Sequence, residues 1–160
     1  MQLQPEVSFL IVDDDEVSVM SMERAIRKLR LTNPIELAHD GRAALDLLRR
    51  NAADGRRAPF IILLDLNMPR MGGIEFLSEV REDAELHDCV VFVMTTSDAP
   101  DDIAAAYAHK VAGYIVKEDA VGSMRRAMEM LGVYTRIVRL PKVPREGSTA
   151  SEPIQLRSTG

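Results

Sequence analysis

Three aspartates in a row, Asp13, Asp14 and Asp15, cut off an apolar run in LIVDDDE. Asp65 ends a second apolar run in IILLD, hydroxyls follow a third in VMTTS, and Lys117 follows a fourth in GYIVKE. Carboxylates, a hydroxyl and an amine are the parts of a phosphoryl-transfer site: a nucleophile, ligands for a metal, and donors for the phosphoryl oxygens. Asp13, Asp14 and Asp65 in one pocket would carry about three negative charges, and Lys117 would return one, leaving roughly -2 for a divalent cation to balance. An all-oxygen pocket of this kind suits magnesium, which also bridges to phosphate.

Each of these residues has a plainer use. An aspartate among residues 13–15 can cap a helix and favour its positive end. Asp65 can open a turn before Asn67-Met68-Pro69, the Thr95 hydroxyl can approach a helix, and Lys117 can be a surface lysine. Capping needs one aspartate, however, and the plain readings would have to converge independently on one edge of one sheet.

That edge follows from the elements. Residues 6–12 read as a strand. In residues 16–31, Val19, Met22, Ile26 and Leu29 recur at helical steps of three and four before Asn33-Pro34 breaks the pattern. Residues 35–39 form a second strand, Asp40-Gly41 a turn, and residues 42–53 a second helix with Ala44, Leu45, Leu47 and Leu48 on one face. The unbroken apolar run 59–64 suits a central strand buried on both faces. Helices are expected over 74–81, 99–110 and 119–131, and strands over 90–94 and 113–116. Alternating βα units demand right-handed crossovers and a parallel sheet covered by helices on both faces. The expected architecture is α/β, a flavodoxin-like (βα)5 doubly wound sheet of order 2-1-3-4-5 with a C-terminal extension. In such sheets ligands bind outside the carboxyl ends of the strands, where the aspartates, Thr95 and Lys117 fall. His39, at the end of the second strand, has no assigned role.

At 160 residues the chain suits one domain, over residues 1–133, followed by an arm or tail over 134–160. The arm mixes apolar residues (Tyr134, Ile137, Val138, Leu140) with basic ones, then turns to Pro, Gly, Ser and Thr, with its end expected to be poorly ordered. A net charge of -5 argues against nucleic-acid binding. The start MQLQPEVS lacks the pattern of a signal peptide, and the apolar run 58–64 falls short of the roughly 20 residues of a membrane span, so a cytoplasmic protein is expected. The single cysteine, Cys89, beside Val90-Val91-Phe92-Val93, reads as a buried thiol. Tyr107, Met128 and Met130 could serve a docking face, although their helical spacing more often means core.

With these motifs in order, LIVDD, IILLDLNMPRMGG, VMTTS and GYIVKE, the chain resembles the receiver domain of two-component response regulators over about residues 7–131. The resemblance implies that Asp65 accepts a phosphoryl group from the phosphohistidine of a sensor histidine kinase. It implies a magnesium ion held directly by Asp14 and Asp65, through water by Asp13, and by the backbone carbonyl of Asn67. Thr95 would be the hydroxyl that meets the phosphate, Lys117 the lysine that pairs with it, and Tyr114 the aromatic that swings inward on activation. Thr96 takes a position that is small in the family. One departure stands out: receivers usually follow the lysine with a cis proline, and here Glu118 follows Lys117. A cis bond before a non-proline residue costs about 2.5 to 4 kcal/mol, so a trans bond or local strain is expected there.

MTTSDAPDDI and GVYTRIVRLP resemble single-domain regulators encoded with bacterial phytochrome kinases, which makes a bacteriophytochrome one candidate phosphoryl donor. With 29 residues after Leu131, no output domain is expected, and the resemblance suggests a homodimer through the last helix and the arm around residues 134–140. Two other readings compete. Asp13-Asp14-Asp15-Glu16-Val17 formally matches the Asp-x-Asp-x-Thr/Val of haloacid dehalogenase phosphatases, with Asp13 as nucleophile, but that reading leaves Asp65 idle. A pseudo-receiver, a pure interaction module, would lack a complete site, whereas every expected side chain is present.

Overall fold

The computed structural model describes residues 7–54, 59–118 and 122–141. Within them strands and helices alternate: β1 (Ser8–Val12), α1 (Glu16–Lys28), β2 (Ile35–Ala38), α2 (Gly41–Ala53), β3 (Phe60–Leu64), α3 (Gly73–Glu82), β4 (Val90–Thr95), α4 (Pro100–Ala108), β5 (Gly113–Val116) and α5 (Gly122–Ile137). All strand pairs are parallel and the order is β2-β1-β3-β4-β5, the expected flavodoxin-like arrangement.

The strands are apolar on successive residues because helices cover both sides. Leu10, Val12, Ile62, Leu64, Val91 and Val93 point to one core with α2 and α3, built around Leu45, Phe76 and Leu77. Phe9, Ile11, Ile61, Leu63, Phe92 and Met94 point to the other, with Met22 and Ile26 of α1 and Met128 and Leu131 of α5. A Leu63→Ala change in this fully packed strand would cost about 2 to 5 kcal/mol through lost burial and the cavity left behind. Met128 thus belongs to the core, while Tyr107 and Met130 are exposed.

Helix ends differ from the sequence expectation where the backbone turns. α1 stops at Lys28, because Arg30 adopts a left-handed φ of 56° and Leu31 N–H folds back to the Ile26 carbonyl at 3.2 Å. α4 begins on Pro100, whose missing N–H is no loss in a first turn, and ends at Ala108 rather than 110. α5 runs on to Ile137, through the start expected for the arm. Its extension is held by Tyr134, whose ring meets Phe92 edge-on with centroids 5.3 Å apart. Such a pair adds about 0.5 to 1.5 kcal/mol beyond area burial. Residues 142–160, most of the expected tail, and residues 119–121, at the expected start of the last helix, lie outside the described residues.

Register sets the strand ends level. Val12 pairs with Leu64, Leu64 with Val93, and Thr95 with Val116. The ladder continues one step further, with Asp13 N–H on Ala38 O at 3.1 Å, Asp65 N–H on Val12 O at 2.9 Å and Lys117 N–H on Thr95 O at 2.8 Å. Backbone pairing therefore delivers Asp13, Asp65, Thr95 and Lys117 to the same edge.

Candidate functional site

At that edge Asp13 is fully buried and its carboxylate is fully engaged: Oδ1 accepts the Asp15 N–H at 2.9 Å, and Oδ2 accepts from Lys117 Nζ at 2.8 Å. Lys117 also donates to Ser18 Oγ at 3.2 Å from the first turn of α1. Burying both charges is tolerable because they lie in contact. Asp14 is exposed at the mouth of the pocket. Asp15 does the plain task, accepting the Val17 N–H at 3.1 Å as N-cap of α1, with Ser18 Oγ donating to its other oxygen.

Asp65 is half-buried, and its Oδ1 accepts the Asn67 N–H at 3.3 Å. Its carboxyl titrates above the ordinary carboxylate value, first because burial disfavours the anion and second because Asp13 repels it; Lys117, the Asn67 N–H and Thr95 pull the other way. Thr95 is fully buried, and its Oγ1 makes no hydrogen bond of normal geometry. Its hydroxyl lies near enough to Asp65 to exert a weak pull toward the ionised form. Tyr114 O–H donates to the Ser97 carbonyl at 2.9 Å, and Ser97 Oγ bonds Asp102 in α4. Thr96 is exposed, and no cis peptide occurs among the described residues, so the bond between Lys117 and Glu118 is trans.

Asp13, Asp14 and Asp65 can each place one carboxylate oxygen within 4.8 Å of the others'. Hard oxygen donors at that spacing, with Asp65 disfavoured by a neighbouring charge that Lys117 only partly offsets, fit a divalent cation. The structure thus brings together the carboxylates, Thr95 and Lys117, with Tyr114 tied to the neighbouring loop. Sequence reasoning missed Ser18 as a partner of Lys117 and treated Asp40 as a turn residue only. Asp40 is buried, caps α2 and pairs with Arg70; an aspartate directly before a helical pattern was the available signal for the cap, but its partner thirty residues on left none.

An open parallel sheet with a carboxylate cluster, a lysine and a buried hydroxyl at one edge is the architecture of a receiver. The chain belongs to that family: the model of the response regulator receiver domain matches residues 9–129. It is 37% identical over 125 residues to the probable methanogenesis regulatory protein FilR2 of Methanothrix harundinacea, covering 78% of this chain and 81% of that one. Response regulator Rcp1 of Synechocystis is 30% identical over 114 residues, 71% of this chain and 78% of its own. The phosphorylated cyanobacterial phytochrome response regulator RcpA superposes with a TM-score of 0.76 at 27% identity, covering 85% of this chain and 99% of that one. The similar solved structures also include a Mn(2+)-bound form of Rcp1. The chain is therefore a signalling receiver homologous to phytochrome-associated regulators. The phosphatase reading fails with it, since a fully buried Asp13 with both oxygens engaged offers no exposed nucleophile.

Proposed function

We propose that Asp65 accepts a phosphoryl group from the phosphohistidine of a sensor histidine kinase, in a magnesium-dependent reaction that the chain itself promotes. The carrying observation is the contrast at the pocket: Asp65 is the half-buried carboxylate with one backbone donor and a raised pKa, whereas Asp13 is fully buried and bonded by Lys117 on one oxygen and the Asp15 N–H on the other. An Asp65 oxygen attacks phosphorus, the N–P bond breaks, and the leaving imidazole takes up a proton. Asp13, Asp14, Asp65 and the Asn67 carbonyl would hold magnesium, which supplies charge neutralisation for the transferring phosphoryl oxygens. Lys117 turns from Asp13 toward those oxygens, and the Thr95 hydroxyl finds in them the acceptor it lacks. Losing Thr95 and Lys117 to the phosphate shifts the population of β4–α4 and β5 conformations, with Tyr114 leaving Ser97 and turning inward. Water attack on phosphorus then breaks the bond to the Asp65 oxygen, releases inorganic phosphate and restores the carboxylate, so the protein is a phosphoacceptor and not an enzyme acting on other substrates.

Phytochrome-associated relatives make a bacteriophytochrome the first kinase to test. No helix among the described residues is long and apolar enough to cross a membrane, and we assign the reaction to the cytoplasm, with no nucleic-acid partner. We further assign a homodimer through α5. Met130, Val133 and Ile137 form an exposed apolar stripe there, while Tyr134 and Leu140 pack on the chain's own core. Light scattering tests this: Val133→Glu with Ile137→Asp should give monomer mass, and an unchanged dimer sinks the α5 assignment. The acceptor is tested by acetyl phosphate with magnesium and intact-mass analysis. Asp65→Asn should remove the adduct, and a persisting adduct overturns the proposal.

A further inference from the structure

Asp40 contacts two elements at once. Its Oδ1 accepts the Ala43 N–H at 2.8 Å and caps α2, while Oδ2 meets Arg70 Nε at 3.2 Å. The Asp40 side chain is 8% exposed and that of Arg70 80% exposed. Capping alone does not call for a buried charge, because asparagine caps as well as aspartate, and a buried carboxylate needs an ionic partner. Arg70 lies in the loop between β3 and α3 with a φ of 66°, a left-handed conformation disfavoured for any residue with a Cβ. In that conformation its guanidinium reaches Asp40.

The next residue ties the same two places together. Met71 O accepts the Gly41 N–H at 3.1 Å, and the approach is so close that a Cβ on Gly41 would lie 2.8 Å from Met71 Cγ. At the loop's base, Gly73 N–H reaches Leu66 O at 3.0 Å, and a Cβ there would sit 2.6 Å from Asp65 O. The segment leaving Asp65 is thus closed at its base by Gly73 and anchored at its far end to the start of α2. Asn67 lies between the two anchors.

We propose that Asp40, through its ion pair with Arg70, is a positioning residue for the metal pocket: it holds residues 66–72 in the conformation that directs the Asn67 carbonyl to the cation. This rests on the reading above that Asn67 belongs to the ligand set. Its reach extends the pocket's support to α2, an element that contributes no ligand.

The test uses the full chain and manganese as probe, read by the electron paramagnetic resonance of the free ion, with no phosphorylation required. Asp40→Asn keeps the cap and the volume but removes the charge, and Arg70→Ala removes its partner. Each should weaken manganese binding about threefold, the scale of an ion pair with one exposed partner, and the double variant should lose no more than either single. With acetyl phosphate, both should need more magnesium for half-maximal labelling yet reach the wild-type rate at saturation, which a general loss of fold would not produce. Circular dichroism melts confirm that the variants fold. Wild-type manganese affinity in folded Asp40→Asn overturns the proposal, as do additive losses in the double variant. If labelling of the wild type survives Asp65→Asn while the manganese losses appear, the acceptor assignment fails and the positioning role stands. If Asp65→Asn abolishes labelling while manganese affinity is unmoved by Asp40→Asn, the reverse holds.

Discussion

The ends of β1 and β3 each place an aspartate in the same pocket, and the two are held in opposite ways. Asp13 is fully enclosed, bonded to Lys117 on one oxygen and to a backbone N–H on the other. Asp65 is half-buried, has one long backbone bond, and has its carboxyl pushed up first by burial and then by Asp13. A carboxylate paired with a cation is held in place, whereas an under-compensated one is more basic, which the proposed acceptor role of Asp65 would use. Neighbouring strand ends can therefore hold two aspartates of one pocket in unlike surroundings, with Lys117 paired to Asp13 and not to Asp65.

Removing the proposed acceptor has the largest expected effect. Asp65→Asn should reduce acetyl phosphate labelling to background by intact mass, while Asp14→Asn should leave labelling dependent on much higher magnesium. Next comes the structural side. Lys117→Met strands a buried Asp13 and should cost about 3 kcal/mol in urea unfolding without metal, the usual penalty for breaking a buried pair. A loss under 1 kcal/mol would mean that water already shares the Asp13 charge.

Cys89 sharpens the comparison away from the pocket. Burial raises its thiol to about 11 even though Arg81 pulls it down, so burial outweighs a nearby cation here as it does at Asp65. Against an ordinary 9.0, alkylation by iodoacetamide at pH 8 should run about a hundredfold slower than for a free thiol. Rapid alkylation in the native state would show that the site opens. The smallest effect is on stability at Asp65 itself. An acid whose folded pKa lies above its unfolded one costs stability once ionised: the cost is absent below 3.8, grows as pH rises, and is complete above the folded value. Asp65→Asn should therefore melt higher than wild type at pH 7 without metal. That advantage should fade toward pH 3 and shrink when magnesium is added.

Much of this was legible in the chain. Unbroken apolar runs announced β1, β3 and β4 because strands covered on both faces carry no polar alternation, and the polar residue ending each run pointed to the sheet edge. Helix ends were less legible. The left-handed turn at Arg30 and the continuation of α5 onto Phe92 depend on contacts that no local pattern encodes.

By itself the sequence determined the parallel α/β sheet, the acidic pocket and its members, since strand period and the polar residue ending each strand are local properties of the chain. Only the tertiary structure decided what each member touches. Lys117 chooses Asp13 over Asp65, Thr95 is left without a partner, and Asp40 reaches across to Arg70. Those outcomes turn on distances of a few ångströms between residues 30 to 104 positions apart, where burial and opposing charge, and no residue's own character, set the balance.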